Sequence, residues 1–214
     1  WWKNLMTIDQ KFIHKLVNVT TKAAIASYQF VGKKDKIAAD KAAVDSMRKE
    51  LNQMNIKGEI VIGEGELDKA PMLYIGEKVG TTHGPEIDIA VDPLEGTNFV
   101  ANNLPGALSV ISIAEKNNLF NAPETYMEKI SAKVNEKGVI DLDYTVKENI
   151  FNLSEYLNKK PESITACVMD RPRHKSIINE LNKIGVKIKL ITDGDVMGAL
   201  FVTDKKYKVD IFLG

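Results

Sequence analysis

Residues 86–98 read Glu86-Ile87-Asp88-Ile89-Ala90-Val91-Asp92-Pro93-Leu94-Glu95-Gly96-Thr97-Asn98. An apolar run ends on a carboxylate, turns at a proline, presents a second carboxylate and closes on a small Gly-Thr step. The run is expected to be a buried strand that delivers Asp92 to its carboxyl end. Pro93, which has no N–H to donate, is expected to stop the ladder there. Glu95 returns three residues later, so both acids can face one point. Two anionic oxygen ligands beside backbone N–H groups suit a hard divalent cation and a phosphate together. A solvated Pro-Leu-Glu-Gly turn is the competing reading of this stretch taken alone.

Working outward, carboxylates recur at other element ends. A helix predicted from about Ile37 to Met54 has Ile37, Val44, Met47, Leu51 and Met54 on a stripe about 100° wide, the usual buried face. Asp40 falls inside that arc, where an unpaired charge is costly to bury. The alternative is an acid at the edge of the first turn, favoured by the helix dipole. Residues 59–62 read as a strand that runs into Gly63-Glu64-Gly65-Glu66, a pliable backbone able to aim carboxylates inward, or else a solvated acidic loop. Carboxylates without a cysteine or histidine cluster exclude a zinc-type donor set and select Mg²⁺ or Mn²⁺.

The remaining elements are predicted from periodicity and turn residues. A helix covers Thr7 to Val31, and a helix or mixed segment Leu67 to Val79. Ala107 to Ala114 alternates as a strand, and Pro123 to Val134 reads as a helix. Gly138 to Asn149 reads as an edge hairpin or linker, and Ser154 to Asn158 as a short helix capped by its serine. Beyond Ile164 the texture changes to β-α-β-α-β: strands at 164–169, 186–191 and near Val209, helices at 175–184 and 196–202. That rhythm indicates a parallel α/β unit. Domains of 1–155 and 156–214 are therefore expected.

The second unit ends its strands on Asp170-Arg171-Pro172-Arg173-His174 and on Asp193-Gly194-Asp195. Ligands of parallel sheets bind at such ends, arginine forks fit phosphate, and acids accept from hydroxyl groups. A solvated turn for the arginines and a helix N-cap for Asp193 are the plain alternatives.

Across its 214 residues the chain carries 29 Lys+Arg against 29 Asp+Glu, a net charge of zero, which argues against nucleic acid or a membrane surface as partner. Cys167 is the single cysteine, which fits a reducing, cytoplasmic setting. No apolar run approaches a membrane span. The first residue is not Met and the last six form an apolar strand pattern, so a fragment of a longer protein is expected.

Taken in order, three blocks resemble the class II (GlpX-type) fructose-1,6-bisphosphatases: 61–66 (Val-Ile-Gly-Glu-Gly-Glu), 70–77 (Ala-Pro-Met-Leu-Tyr-Ile-Gly-Glu) and 88–97. Further matches are Asn121-Ala122-Pro123 with Tyr126-Met127-Glu128-Lys129, Pro172-Arg173-His174, and Asp193-Gly194-Asp195-Val196. The resemblance spans nearly the whole chain. It implies a layered αβαβα sugar-phosphatase fold with an incomplete second unit. It also implies Mn²⁺- or Mg²⁺-dependent removal of the 1-phosphate from fructose 1,6-bisphosphate, a gluconeogenic step. Position by position, Asp40 and Glu64 match ligands of one metal, and Asp92 and Glu95 those of another. Glu95, Gly96, Thr97, Tyr126, Arg171, Pro172, Arg173, Asp193, Gly194 and Asp195 match substrate contacts. Thr97 would orient the attacking water, with Glu66 or Asp68 as proton acceptors. Relatives continue past Gly214 into a Gly-Gly-Ala-Pro-Glu segment that supplies a further ligand. Sedoheptulose 1,7-bisphosphate, an inositol-monophosphatase-like activity and an inactive sugar-phosphate-binding fragment are the competing readings. A homo-oligomer is expected.

Overall fold

The computed structural model describes residues 11–63, 72–123 and 125–214. It divides into two compact units, Trp1–Glu124 and Thr125–Gly214.

In the first unit, helices α1 (Lys11–Tyr28) and α2 (Lys36–Asn52) precede β1 (Lys57–Ile62), β2 (Lys78–Val79), β3 (Glu86–Glu95), α3 (Thr97–Ala101) and β4 (Leu108–Glu115). The sheet order is β2-β1-β3-β4, with β1 and β3 parallel and the other pairings antiparallel. Odd-numbered residues of β3 (Ile87, Ile89, Val91) pack with Val19 and Ala23 of α1 and Ala43, Val44 and Met47 of α2 in one core. Even-numbered residues face the other way, as the two-residue period of a strand requires. Asp35 caps α2, its carboxylate accepting from the Ala38 N–H at 2.9 Å. The buried stripe of α2 loses one predicted residue and gains two. Ile37 is 76% exposed, and Ala39 and Ala43 take the buried places instead, because two alanines let the helix approach α1 and the sheet closely. Of the predicted 67–79 segment, the described part is irregular and ends in β2 rather than a helix.

Pro93 does not end β3. The ladder runs from Ile87↔Glu115 to Asp92↔Val110, shifts, and resumes at Glu95↔Leu108. Three steps along β3 thus oppose two along β4, which is a one-residue bulge that absorbs the proline. Leu94 inside the bulge turns into the core, and its N–H donates to Asp92 Oδ1 at 3.1 Å.

The second unit contains β5 (Ile130–Ala132), α4 (Val146–Tyr156), β6 (Thr165–Met169), α5 (Lys175–Ile184), β7 (Lys187–Ile191), α6 (Asp195–Leu200) and β8 (Ile211–Leu213). Its sheet order is β5-β8-β6-β7, parallel except for β5. This is the predicted β-α-β-α-β unit, with α5 closed by Gly185 in the left-handed conformation (φ +85°). Two expectations are corrected. Of the helix predicted over 123–134, the described residues form no helix, and Ile130–Ala132 are β5, which pairs with β8 in the register Ile130↔Leu213. The predicted helix at Ser154 is the last part of α4. That helix starts at a Thr145–Glu148 capping box, and Ser154 lies buried within it, donating to the Phe151 carbonyl at 2.8 Å. The two compact units divide between Glu124 and Thr125. The β5–β8 ladder and the packing of α4 against α5 tie 125–155 to the strands that follow.

Helices on a four-stranded sheet in each unit are the layers from which an αβαβα sugar-phosphatase fold is built.

Candidate active site

The bulge decides what the end of β3 presents. In a regular strand, residues three apart lie on opposite faces. Asp92 pairs with Val110 and Glu95 with Leu108, and those two partners are even-numbered residues of one β4 face. The extra residue therefore returns Glu95 to the face that Asp92 occupies. Gly96 follows in the left-handed conformation (φ +82°), and a Cβ there would stand 2.8 Å from the Phe99 ring. Only glycine meets both conditions, and α3 then begins on Thr97.

Asp40 sits on the second turn of α2, a helix that packs against both β3 and α3. The α1–α2 connection is tied to α3 by Gly32 N–H to the Val100 carbonyl (2.9 Å) and Lys34 N–H to the Ala101 carbonyl (3.0 Å). Asp40 Oδ1 is buried and has no hydrogen-bond partner, and burial raises the carboxyl's pKa above the ordinary value. A buried carboxylate oxygen left without a donor is the position a cation satisfies, and oxygen donors of this kind fit a hard divalent ion. The residues present therefore fit such an ion in part. Among the described residues no three His, Cys, Asp or Glu side chains lie close enough together to hold one. Glu64, Glu66 and Asp68 lie outside the described residues.

At the opposite end of the same strands lies a group the sequence reading missed. Glu59 of β1 and Asp88 of β3 are side by side in the parallel ladder. Lys116 pairs with Glu59 and stands 3.4 Å from Asp88, which is 2% exposed, while Lys78 pairs with Glu59 at 2.5 Å. Hydrogen bonds from Lys116 and then Lys78 hold the Glu59 carboxyl below its ordinary pKa. The alternation of Glu59 and Asp88 with apolar neighbours was the available signal.

In the second unit the carboxyl ends of β6 and β7 bring the predicted substrate residues together. Asp170 N–H donates to the Ile191 carbonyl at 2.8 Å, joining the two strand ends. Arg171 Nη2 lies 3.7 Å from Asp193 Oδ1. Pro172 opens a 3₁₀ turn through His174, whose buried ring bonds the Met169 carbonyl through Nδ1 at 3.0 Å and fixes the loop to its strand. The Arg173 guanidinium lies over the Tyr126 ring at 4.0 Å. Gly194 is left-handed (φ +74°) and leads into Asp195, which meets Lys129 Nζ at 2.8 Å. Lys129 is a cation to which the sequence reading gave no role; it is far from Asp195 in the chain, and only the β5–β8 ladder brings it there.

Carboxylates thus stand at a strand end of the first unit, and acids paired with cations at the strand ends of the second. The family model described as "Bacterial fructose-1,6-bisphosphatase, glpX-encoded" matches residues 10–214, and the chain belongs to that family. It is 49% identical over 193 residues to a "D-fructose 1,6-bisphosphatase class 2/sedoheptulose 1,7-bisphosphatase" of Synechococcus sp., covering 90% of this chain and 58% of that protein. It is 45% identical over 196 residues to the "Fructose-1,6-bisphosphatase 1 class 2" of Escherichia coli, covering 92% and 58%. The chain thus spans 58% of the length of the curated relatives it matches. Membership of this phosphatase family implies a divalent metal. Among the described residues no helix is long and apolar enough to cross a membrane.

Proposed function

We propose that the protein to which this chain belongs hydrolyses the 1-phosphate of fructose 1,6-bisphosphate in gluconeogenesis, as a cytoplasmic homo-oligomer using Mn²⁺ or Mg²⁺. The observation that carries the reading is the bulge that sets Asp92 and Glu95 on one face immediately before Gly96-Thr97, in a member of this family. Asp40, Glu64, Asp92 and Glu95 are the residues that would hold the ions. When bound, the metal supplies neutralisation of phosphate charge and a water of lowered pKa.

The remaining roles belong to the chain's own groups. The Thr97 hydroxyl orients the water toward the scissile phosphorus, and Glu66 or Asp68 takes its proton. The N–H groups of Gly96 and Thr97 donate to phosphate oxygens. Arg171 and Arg173 bind the distant 6-phosphate, so Arg171 exchanges its contact with Asp193 for the ligand. Asp193 and Asp195 accept from sugar hydroxyls, and Tyr126 bounds the sugar beside Arg173. In phosphoryl transfer such positioning and charge stabilisation supply most of the rate.

Inorganic phosphate release with Mn²⁺ or Mg²⁺ tests the reading on fructose 1,6-bisphosphate, sedoheptulose 1,7-bisphosphate and inositol monophosphate. Release from the first is expected, and none from the third. The Synechococcus relative's printed name, which joins both sugar bisphosphates, favours the second as an additional substrate. Binding of fructose 1,6-bisphosphate without release under either metal would support a ligand-binding fragment instead.

A further inference from the structure

β5 joins the second sheet antiparallel to β8, so its first residues lie at the carboxyl end of β8. The ladder continues one step past the strand itself. The Lys129 N–H donates to the Gly214 carbonyl at 2.6 Å, and the Gly214 N–H donates back to the Lys129 carbonyl at 2.9 Å. The backbone of Lys129 is thereby fixed in the same row of strand ends as Arg171 and Asp193. Ligands of parallel sheets bind along that row.

α6 is laid beside β5 by two ties. The Ser131 hydroxyl donates to the Ala199 carbonyl at 3.3 Å, and Lys129 Nζ meets Asp195 Oδ2 at 2.8 Å. The spacings agree. Residues two apart on a strand share a face about 6.6 Å apart, and residues four apart on a helix share a face with a rise of about 6 Å. Close packing sets the height of the helix over the sheet. A Cβ on buried Gly198 would stand 2.5 Å from the Phe212 ring and 2.9 Å from Ile191. Phe212 is in turn the residue that pairs with Ser131.

Only the tie at Lys129 carries charge, and it holds a carboxylate that opens α6 directly after left-handed Gly194. The helix dipole draws an acid at a first position toward the helix's own N–H groups, whereas the ammonium keeps one oxygen of Asp195 toward β5. A carboxylate has about four acceptor positions, so one ammonium leaves it able to accept from a hydroxyl. The same stretch of chain also reaches the arginines, since Tyr126 lies under the Arg173 guanidinium. Arg171, 3.7 Å from Asp193, is beyond hydrogen-bond length, so it yields to an anion with less lost than Lys129 does.

We infer that Lys129 is a positioning residue for sugar recognition: its ammonium holds the Asp195 carboxylate in the row of strand ends, where that carboxylate accepts from a hydroxyl of a phosphorylated ketose. The phosphate is left to Arg171 and Arg173. Lys129 has this part because Asp195 has the role given to it under the proposed function, on which the inference rests.

Titration calorimetry of the 214-residue chain with fructose 6-phosphate and, separately, with inorganic phosphate tests it. The Lys129 and Asp195 side chains are 39% and 29% exposed, and ion pairs of that kind add little stability, so Lys129→Met should keep the parent's thermal midpoint. It should weaken fructose 6-phosphate about tenfold, the scale of one hydrogen bond to a charged group, and inorganic phosphate less than about twofold. Lys129→Arg should restore the sugar phosphate, because a guanidinium donates to the same carboxylate. Asp195→Ala should lose about as much as Lys129→Met. Combining the two should cost less than about twofold more, since the lysine acts through that carboxylate. Equal weakening of phosphate and fructose 6-phosphate would assign Lys129 to the phosphate and overturn the inference. So would unchanged affinity in Lys129→Met, a full further loss in the double variant, or a loss that arginine does not restore and that comes with a lowered thermal midpoint. If the parent chain itself does not bind fructose 6-phosphate, the proposed function fails, and the role of Asp195 with it.

Discussion

At the end of β3 the chain gathers Asp92 and Glu95 on one face, and on neighbouring α2 the half-buried Asp40 has a buried oxygen that accepts no hydrogen bond among the described residues. At the ends of β6 and β7 the acids stand against cations of the same unit, Asp193 near Arg171 (3.7 Å) and Asp195 on Lys129 (2.8 Å). The first arrangement leaves a carboxylate to be satisfied from outside, which a cation does. The second is already close to neutral, so an anion can enter only by exchanging an internal contact for a new one. Ion binding in the first unit should therefore add stability, whereas phosphate binding in the second should mainly redistribute it.

The largest test of that contrast is Asp92→Asn. Phosphate release by the proposed enzyme should fall by at least about a hundredfold, the scale of losing one charge-stabilising group, with cooperative unfolding by circular dichroism retained. Loss of less than tenfold would return Asp92 to a turn. Gly96→Ala probes the backbone that follows. A left-handed alanine facing the Phe99 ring should cost about 1–3 kcal/mol in urea denaturation. Glu59 probes the other end of the same strands, where charges are paired as in the second unit. Its folded pKa is depressed, by Lys116 first and then Lys78, so its contribution is present above the ordinary value of 4.5. It is lost as pH falls through the lower folded value. Glu59→Gln should thus destabilise the protein at neutral pH, and the difference from the parent should vanish on acidification below that window. The smallest effect is expected at Tyr126→Leu. Removing the ring under Arg173 at an exposed site should cost about 0.5–1 kcal/mol, read by thermal denaturation.

The parallel unit was legible because its strands are apolar runs separated by Gly185 and by basic or acidic turns. The helix and strand positions of 164–213 needed no long-range information. Other segments did. Residues 130–132 lie in a stretch of helix-compatible side chains, yet pairing with Ile211–Leu213 makes them a strand. The start of α4 was hidden because Thr145 and Glu148 sit in a polar stretch that hydrophobic periodicity does not register. At the site, the carboxylates were readable as types, and their facing one point was expected from a turn at Pro93 and not from the bulge that produces it. A period of two alone would have set Asp92 and Glu95 on opposite faces, and only the register against β4 shows otherwise. Lys129 and Lys116 were invisible for the same reason, since each meets its acid through a ladder and not through sequence spacing.

Pro93 has a mechanical consequence. Had the ladder stopped there, Glu95 and Gly96 would project like a cantilever, free to bend about the proline. Because pairing resumes at Glu95↔Leu108, the span holding both acids is a short beam fixed at each end. Its stiffness comes from β4, so whatever steadies the outer edge of β4 also steadies the carboxylates one strand away.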